Sequence, residues 1–372
     1  MSDYAEQVRS LLEEAGGLPT SPTQLALLEE AVHLADTHHD IRLGVEARRP
    51  LMYVARYLLR GDILTVAFTW CLAHYDREPA LFGGRDLLWE YGQVIGQLAN
   101  LHDVSRQTLE QMLEDFGRRL LAGGESQLQV YLKQRHIAPD LGDRELGRTA
   151  NQLVHEEYRK LGRGPTVDER TEEIELELFL GNEERALELA KRFLHGDWRG
   201  YVHSGGFAPY LLLPLHKHDR RPEAAALYKR CRTSFHPERC YYWPYGEFIK
   251  WLTLTGANDE AVQVYAKCQR AIKPYTDPLT RLHFALDATV LFDRLAKTGP
   301  AQLPLRLGEV VPVGREDGRY EVAQLHNWLH QEARELAARF DARNGTDCFQ
   351  QQIQARAELQ KWADGNAAVS PA

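Results

Sequence analysis

The chain is poor in sulfur, with five cysteines and three methionines in 372 residues. Cys71, Cys231, Cys240, Cys268 and Cys348 are odd in number and lack paired spacing, which excludes a disulfide framework and a cysteine zinc module. Reduced thiols in a reducing compartment are therefore expected. No stretch approaches the ~20 consecutive apolar residues that a membrane helix requires. The opening Met1-Ser2-Asp3-Tyr4-Ala5-Glu6 has neither the basic start nor the apolar run of a secretory signal. The expected location is cytoplasmic, without a membrane partner. An excess of positive charge is missing too: 45 Lys and Arg stand against 53 Asp and Glu, for a net charge of -8. That balance argues against direct nucleic-acid binding, which needs a basic surface to neutralise phosphates.

Cofactor and metal motifs are also absent. His216-Lys217-His218-Asp219 places its imidazoles two residues apart, on different sides of a helix. Structural zinc takes four ligands, and no second cluster at suitable spacing follows. The dipole at a helix C-terminus accounts for these histidines without a metal. His38-His39-Asp40 reads the same way. The Gly-containing loop Tyr201-Val202-His203-Ser204-Gly205-Gly206-Phe207 lacks the Lys and the spacing of a phosphate loop. His203 beside Ser204 has no acid partner for a nucleophilic triad. The acids Glu172, Glu173, Glu175 and Glu177 run along a helix start, where carboxylates complement the dipole. No cofactor, no metal and no catalytic residue are expected.

What is present is a repeat. Roughly every 37 to 41 residues a polar turn opens a helix with a small residue near its start. The turns are Gly61-Asp62, His102-Asp103, Gly142-Asp143, Gly181-Asn182, His218-Asp219 and Gly256-Ala257-Asn258. Such a period predicts stacked helical hairpins. Helices are expected over 2–15 and 23–37, then hairpins in which Gly61 supplies the tight stop and Asp62 the cap. Paired helices follow over 86–99 and 103–121, 126–136 and 143–161, 167–180 and 183–194, 207–217 and 222–235, and 241–255 and 259–272. One more helix covers 278–295. Gly162 to Pro165 reads as a hinge between sub-arrays or as a long turn. Pro300, Pro304 and Pro312 predict an irregular segment packed along the array. Two helices close the chain. The organisation expected is 1–40 N-terminal helices, 41–162 degenerate repeats, 163–297 regular repeats, 298–320 the irregular segment, 321–364 a helical pair and 365–372 a disordered tail.

The second helices carry Ala186, Ala190 and Phe193, then Ala224, Tyr228 and Cys231, then Ala261, Tyr265 and Cys268. A small residue, an aromatic four on and a small residue three beyond resembles the tetratricopeptide repeat. Gly256, Ala261, Tyr265, Cys268 and Pro274, and Asp219, Ala224, Tyr228 and Cys231, form the closest copies, and Ala67, Cys71, His74 and Pro79 a looser one. Where the family has a small residue midway along the first helix, this chain holds Ala55, Gly96, Leu212 and Ile249, and the last two depart from that pattern. The bulky Leu212 and Ile249 are expected to push helices apart. The closing helix with Asp341 to Thr346 is similar to the end of uncharacterised bacterial tetratricopeptide-like proteins. The resemblance implies an all-α, right-handed α-α solenoid with a concave groove, lined by first helices, that binds a peptide or protein.

The groove candidates on first helices are Tyr53, Arg56, Trp89, Gln93, Tyr210, Tyr242, Tyr245, Lys250 and Asp287. Tyr241-Tyr242-Trp243-Pro244-Tyr245 is the densest aromatic cluster, suited to peptide anchoring or to packing on Phe235. Arg56 lies between Tyr53 and Tyr57, facing the groove or stacked on a ring. The functional expectation is a noncatalytic scaffold. A ligand-responsive regulator and an α/α-toroid enzyme are the competing readings.

Overall fold

The turn between helices is the recurring unit. In six hairpins a residue of the turn after the first helix enters the left-handed region, at His39, Leu59, Gly142, Gly181, Asp219 and Gly256. Each time the next N–H reaches back five residues, as in Asp40 to Ala35, Arg60 to Ala55, Asp143 to Ala138, Asn182 to Glu177, Arg220 to Leu215 and Ala257 to Leu252. This is the six-to-one bond that satisfies orphan carbonyls at a helix end. Glycine meets the backbone demand in three of these turns, while Leu59, Asp219 and His39 meet it against their Cβ. The stop before α4 is therefore Leu59, and Gly61 already belongs to the next helix. Asp62 caps nothing there and instead holds Arg60 through two bonds of 2.9 and 2.7 Å. Asp143 does cap, accepting from Leu146 N at 2.9 Å.

The computed structural model describes residues 3–82, 87–196, 205–233, 243–273, 276–313 and 318–367. Over these the protein is all-α, with eighteen α-helices and one pair of short strands. The helices are α1 (Asp3–Gly16), α2 (Pro22–Thr37), α3 (Ile41–Tyr57), α4 (Gly61–Tyr75), α5 (Leu88–Ala99) and α6 (Arg106–Ala122). They continue with α7 (Leu128–Ile137), α8 (Arg144–Leu161), α9 (Val167–Leu180), α10 (Glu183–Leu189), α11 (Lys191–Leu194) and α12 (Leu212–Lys217). The last six are α13 (Arg221–Cys231), α14 (Trp243–Leu254), α15 (Asn258–Ala271), α16 (Pro278–Thr298), α17 (Val322–Asn344) and α18 (Cys348–Ala367). Two 3₁₀ helices, Pro79–Phe82 and Gly205–Leu211, complete the helical set. None of the helices is long and apolar enough to cross a membrane.

Contacts divide the chain into two compact units, one of Met1–Leu98 with Leu109–Ser126 and one of Ala99–Thr108 with Gln127–Ala372. Gly162 to Pro165 therefore lies inside the second unit. There Gly162 ends α8 in the left-handed conformation, and Thr166 with Glu169 forms a reciprocal cap on α9.

In the first unit α1, α2 and α3 pack through Ala5, Val8, Ala31, Ala35, Leu43 and Ala47. In the second unit, α7 touches α9, α9 touches the 3₁₀ helix Gly205–Leu211, that helix touches α14, and α14 touches α16. First helices thus contact first helices in chain order. On the second helices Ala186, Ala190, Phe193, Ala224, Tyr228, Cys231, Ala261, Tyr265 and Cys268 are all buried. Burial pushes the Cys71 and Cys231 thiols up to about 12, so they are inert fillers of the core.

Three elements differ from expectation. The helix expected over 183–194 is interrupted at Ala190 into α10 and α11. The helix expected over 207–217 begins as a 3₁₀ helix around Pro209, which supplies no N–H for an α-helical bond. The irregular stretch contains an antiparallel pair, β1 (Gln302–Pro304) with β2 (Arg319–Glu321), in which Leu303 opposes Tyr320. Between these strands Gly308 comes against the backbone of Gln269 and Arg270, which places the stretch on α15. Leu212 and Ile249 are fully buried, and the close approach of α14 to α16 falls at Gly246 instead. A Cβ there would lie 2.9 Å from Asp287 Oδ2.

Candidate functional site

The predicted site residues fall into two groups, one in each unit. In the first unit Tyr53 and Trp89 are half exposed, at 49% and 52%. The Arg56 guanidinium lies 5.1 Å from the Tyr57 ring centre and 5.5 Å from that of Trp89. The Tyr53 and Tyr57 rings are 4.7 Å apart. Gln93 is partly buried on α5. This patch is an Arg stacked among exposed rings, a geometry worth ~0.5–1 kcal/mol at an exposed site.

The second unit gathers a denser set. Lys250 Nζ donates to Glu247 Oε1 at 2.7 Å and to Asp287 Oδ1 at 3.2 Å. Arg356 of α18 reaches the same Asp287 oxygen at 3.0 Å. Burial alone would raise the Asp287 carboxyl, but Lys250, Arg356 and His283 outweigh it and hold it below the usual range. Glu247 is raised, by burial first and by the nearby Asp287 charge. His283 is lowered to about 4, by burial and by the positive Arg356 and Lys250, so it is neutral at neutral pH.

Tyr210 joins this group electrostatically. Burial raises its hydroxyl well above the ordinary value, helped by Glu175, Glu247, Asp287 and Asp140 around it. Glu175 is pushed up to about 8, by burial and then by Glu172 and Asp140. Asp140, beyond the end of α7, is pushed up to about 7, mainly by burial. Neither carboxylate has a hydrogen bond or ion pair among the described residues. Asp140, Glu175, Tyr210 and His283 are crowded by protein yet keep part of their surface open. Asp140, Glu175, Tyr210, Glu247 and Asp287 recur at intervals of about 35 to 40 residues, one on each successive first helix or its end.

Lys250 and Asp287 are thus brought together, with Tyr210 within electrostatic range of Asp287. Tyr245 is not on offer: it is 4% exposed, its ring packed edge-on to Phe248 at 5.9 Å. Tyr242, with Tyr241 and the loop 201–204, lies outside the described residues. Asp140, Glu247, His283 and Arg356 were not singled out from sequence, and Glu175 was read there only as one of a run of carboxylates that complement a helix dipole. Glu247 three residues before Lys250 was the available signal, because that spacing shares a helix face. Two surface recesses lie elsewhere, one around Glu184, Lys191 and His218 and one around Tyr4, Asp40 and Glu46. Both are open and lined by charges that pair with neighbours, such as His218 with Glu183, so the carboxylate wall is the better candidate.

Comparison of the chain with protein-family models and with curated proteins gives no match.

Proposed function

We propose that this protein is a noncatalytic helical-repeat scaffold whose second unit holds a cationic segment of a peptide or protein partner against an acidic inner wall. The architecture in this reading is a right-handed solenoid of tetratricopeptide type. Two regularities support it. The left-handed turns recur at Gly142, Gly181, Asp219 and Gly256. Ion pairs link groups one repeat apart in sequence: Arg106 with Asp143 and Lys250 with Asp287, both separated by 37 residues, and Lys217 with Glu183, separated by 34.

The observation that carries the ligand chemistry is the pair of unpartnered carboxyls, Asp140 and Glu175, beside the Tyr210 hydroxyl. A carboxyl held protonated by burial and by like charge ionises when a Lys or Arg side chain arrives. That gain is available to a cationic ligand and not to an anionic one. Four free thiols among the described residues support a reducing, cytoplasmic setting.

The test is isothermal titration of the full chain with a lysine-rich and a glutamate-rich peptide of equal length. Binding of the first alone, weakened by salt, is expected. Equal binding of both, or of neither, contradicts the reading. A second reading, catalysis, is favoured by the same raised carboxyls, since general acids are tuned in this way. Turnover of a panel of chromogenic glycosides that is lost in Glu175→Gln would establish it instead.

A further inference from the structure

Apart from the acidic wall, one cluster joins two different helices through metal-type donors. His326 and His330 stand four residues apart on α17, which puts both imidazoles on one face. Their rings are 4.5 Å apart. The facing helix α16 supplies Asp293. His326 Nε2 is 2.9 Å and His330 Nε2 is 2.7 Å from the same oxygen, Asp293 Oδ1. The donor atoms all lie within 4.8 Å of one another, and no other group of three such side chains among the described residues does so.

The hydrogen bonding of His326 is over-committed as it stands. Its Nδ1 lies 3.2 Å from Asn327 Oδ1 while its Nε2 faces the Asp293 carboxylate. A neutral imidazole has one N–H, so it can donate to only one of two oxygens. The second contact is met by an added proton, by an Asn327 amide turned so that its NH2 donates to Nδ1, or by a cation between Nε2 and Oδ1. A metal ion satisfies His326 and His330 together, because each then presents an Nε2 lone pair to it. Asn327 would accept from Nδ1–H and hold the His326 ring in the ligating tautomer, as outer partners of metal-bound histidines do.

We propose that Asp293, His326 and His330 bind a borderline divalent transition cation, with Zn²⁺ as the reference ion. Bond lengths of about 2.0–2.2 Å to nitrogen and oxygen put tetrahedral ligand edges near ~3.4 Å. The 2.7 and 2.9 Å separations then need to open by about half an ångström. Side-chain movement at this margin of the α16–α17 seam provides that, since Asp293, His326 and His330 are 23%, 28% and 22% exposed. Two imidazoles with one carboxylate select this class over Mg²⁺ or Ca²⁺, which take oxygen ligands. Three protein ligands leave a fourth position for water or another ligand. The ion would also tie α17 to α16, whose contact is otherwise reinforced by the Arg281–Glu332 pair.

The experiment uses the full chain freed of metal with a chelator, then titrated with Zn²⁺ and, in parallel, with Co²⁺ followed by visible absorption. One Zn²⁺ per chain, a Co²⁺ spectrum of four- or five-coordinate intensity and a rise of several degrees in Tm at saturating Zn²⁺ are expected. His326→Ala with His330→Ala should weaken Zn²⁺ by more than about 100-fold, beyond the roughly 10–100-fold that loss of an outer partner costs. Asp293→Asn keeps the side-chain volume, so it folds even where the histidine variant does not. It should weaken Zn²⁺ by more than about 10-fold. His216→Ala should change nothing. The same affinity and Tm rise in Asp293→Asn as in the parent, or no saturable site in the parent, overturns the proposal.

Discussion

Lys250 Nζ lies 3.2 Å from Asp287 Oδ1, although 37 residues separate the two in the chain. Both side chains are nearly inaccessible, at 8% and 5% exposure. Lys250 also holds Glu247, so one ammonium serves two carboxylates. Lys250→Met leaves Glu247 without its cation, while Asp287 retains Arg356. Removing one partner from a buried charge group costs about 3–5 kcal/mol. The low end, about 3 kcal/mol, is predicted because Arg356 stays. Urea unfolding measures it, and a loss below about 0.5 kcal/mol would show that the network is solvated rather than buried.

Gly246 lets α14 approach Asp287. A methyl at Gly246→Ala would lie 2.9 Å from Asp287 Oδ2 and push the carboxylate away from Lys250. Overpacking of this kind costs about 1–3 kcal/mol. The informative readout is coupling. Gly246→Ala should cost less in a Lys250→Met background than alone, because the contact it breaks is already gone. Strict additivity would mean that the methyl acts elsewhere.

Stability should fall as pH rises from about 5 to 8. Glu175 and Asp140 hold protons in the folded state up to about 8 and about 7, whereas in the unfolded chain they release them near pH 4. The folded form therefore binds more protons across that window, and raising the pH favours unfolding. The groups facing Glu175 are Glu172, Asp140 and Arg135, with Tyr210 in range. Glu175→Gln should flatten the slope and raise stability at pH 8 relative to the parent. His283 acts in the other direction at low pH: its folded value of about 4 removes stability as pH falls from about 6.5 through 4. Urea midpoints at pH 4, 5, 6.5 and 8 resolve the two effects.

The turns allow a comparison within one chain. Leu59 and Asp219 occupy the left-handed position that Gly181 and Gly256 occupy in sister turns. Leu59→Gly and Asp219→Gly should stabilise, by up to about 1 kcal/mol for Leu59 and less for Asp219. Gly181→Ala and Gly256→Ala should destabilise by about 1 kcal/mol. The four midpoints by thermal melting check the set. The same sign in all four would contradict the shared geometry.

Helices were legible because their signals are local. The stripe Ala261, Tyr265 and Cys268 announced the buried face of α15. The turn period was legible too, but the residue that reverses the chain was misread at Gly61, because Leu59 adopts a conformation its Cβ disfavours. The strand pair was not legible, since three residues beside Pro304 carry no alternation long enough to register. Lys250 and Asp287 could be placed on first helices, but only coordinates show Arg356 arriving from α18. Long-range charge placement leaves no mark in a local pattern. The His326–His330 spacing was visible on an expected helix, but the Asp293 that gives it meaning lies on another.

Proton release on ligand binding tests the acidic wall most directly. The lysine-rich peptide is titrated into the full chain near pH 7 in two buffers of different ionisation enthalpy. Ionisation of Glu175 and Asp140 by the arriving cation predicts release of about one proton per peptide bound. Glu175→Gln with Asp140→Asn should abolish most of that release and weaken the affinity. Tight binding with no proton released, and with affinity unchanged in that double variant, would contradict the assignment.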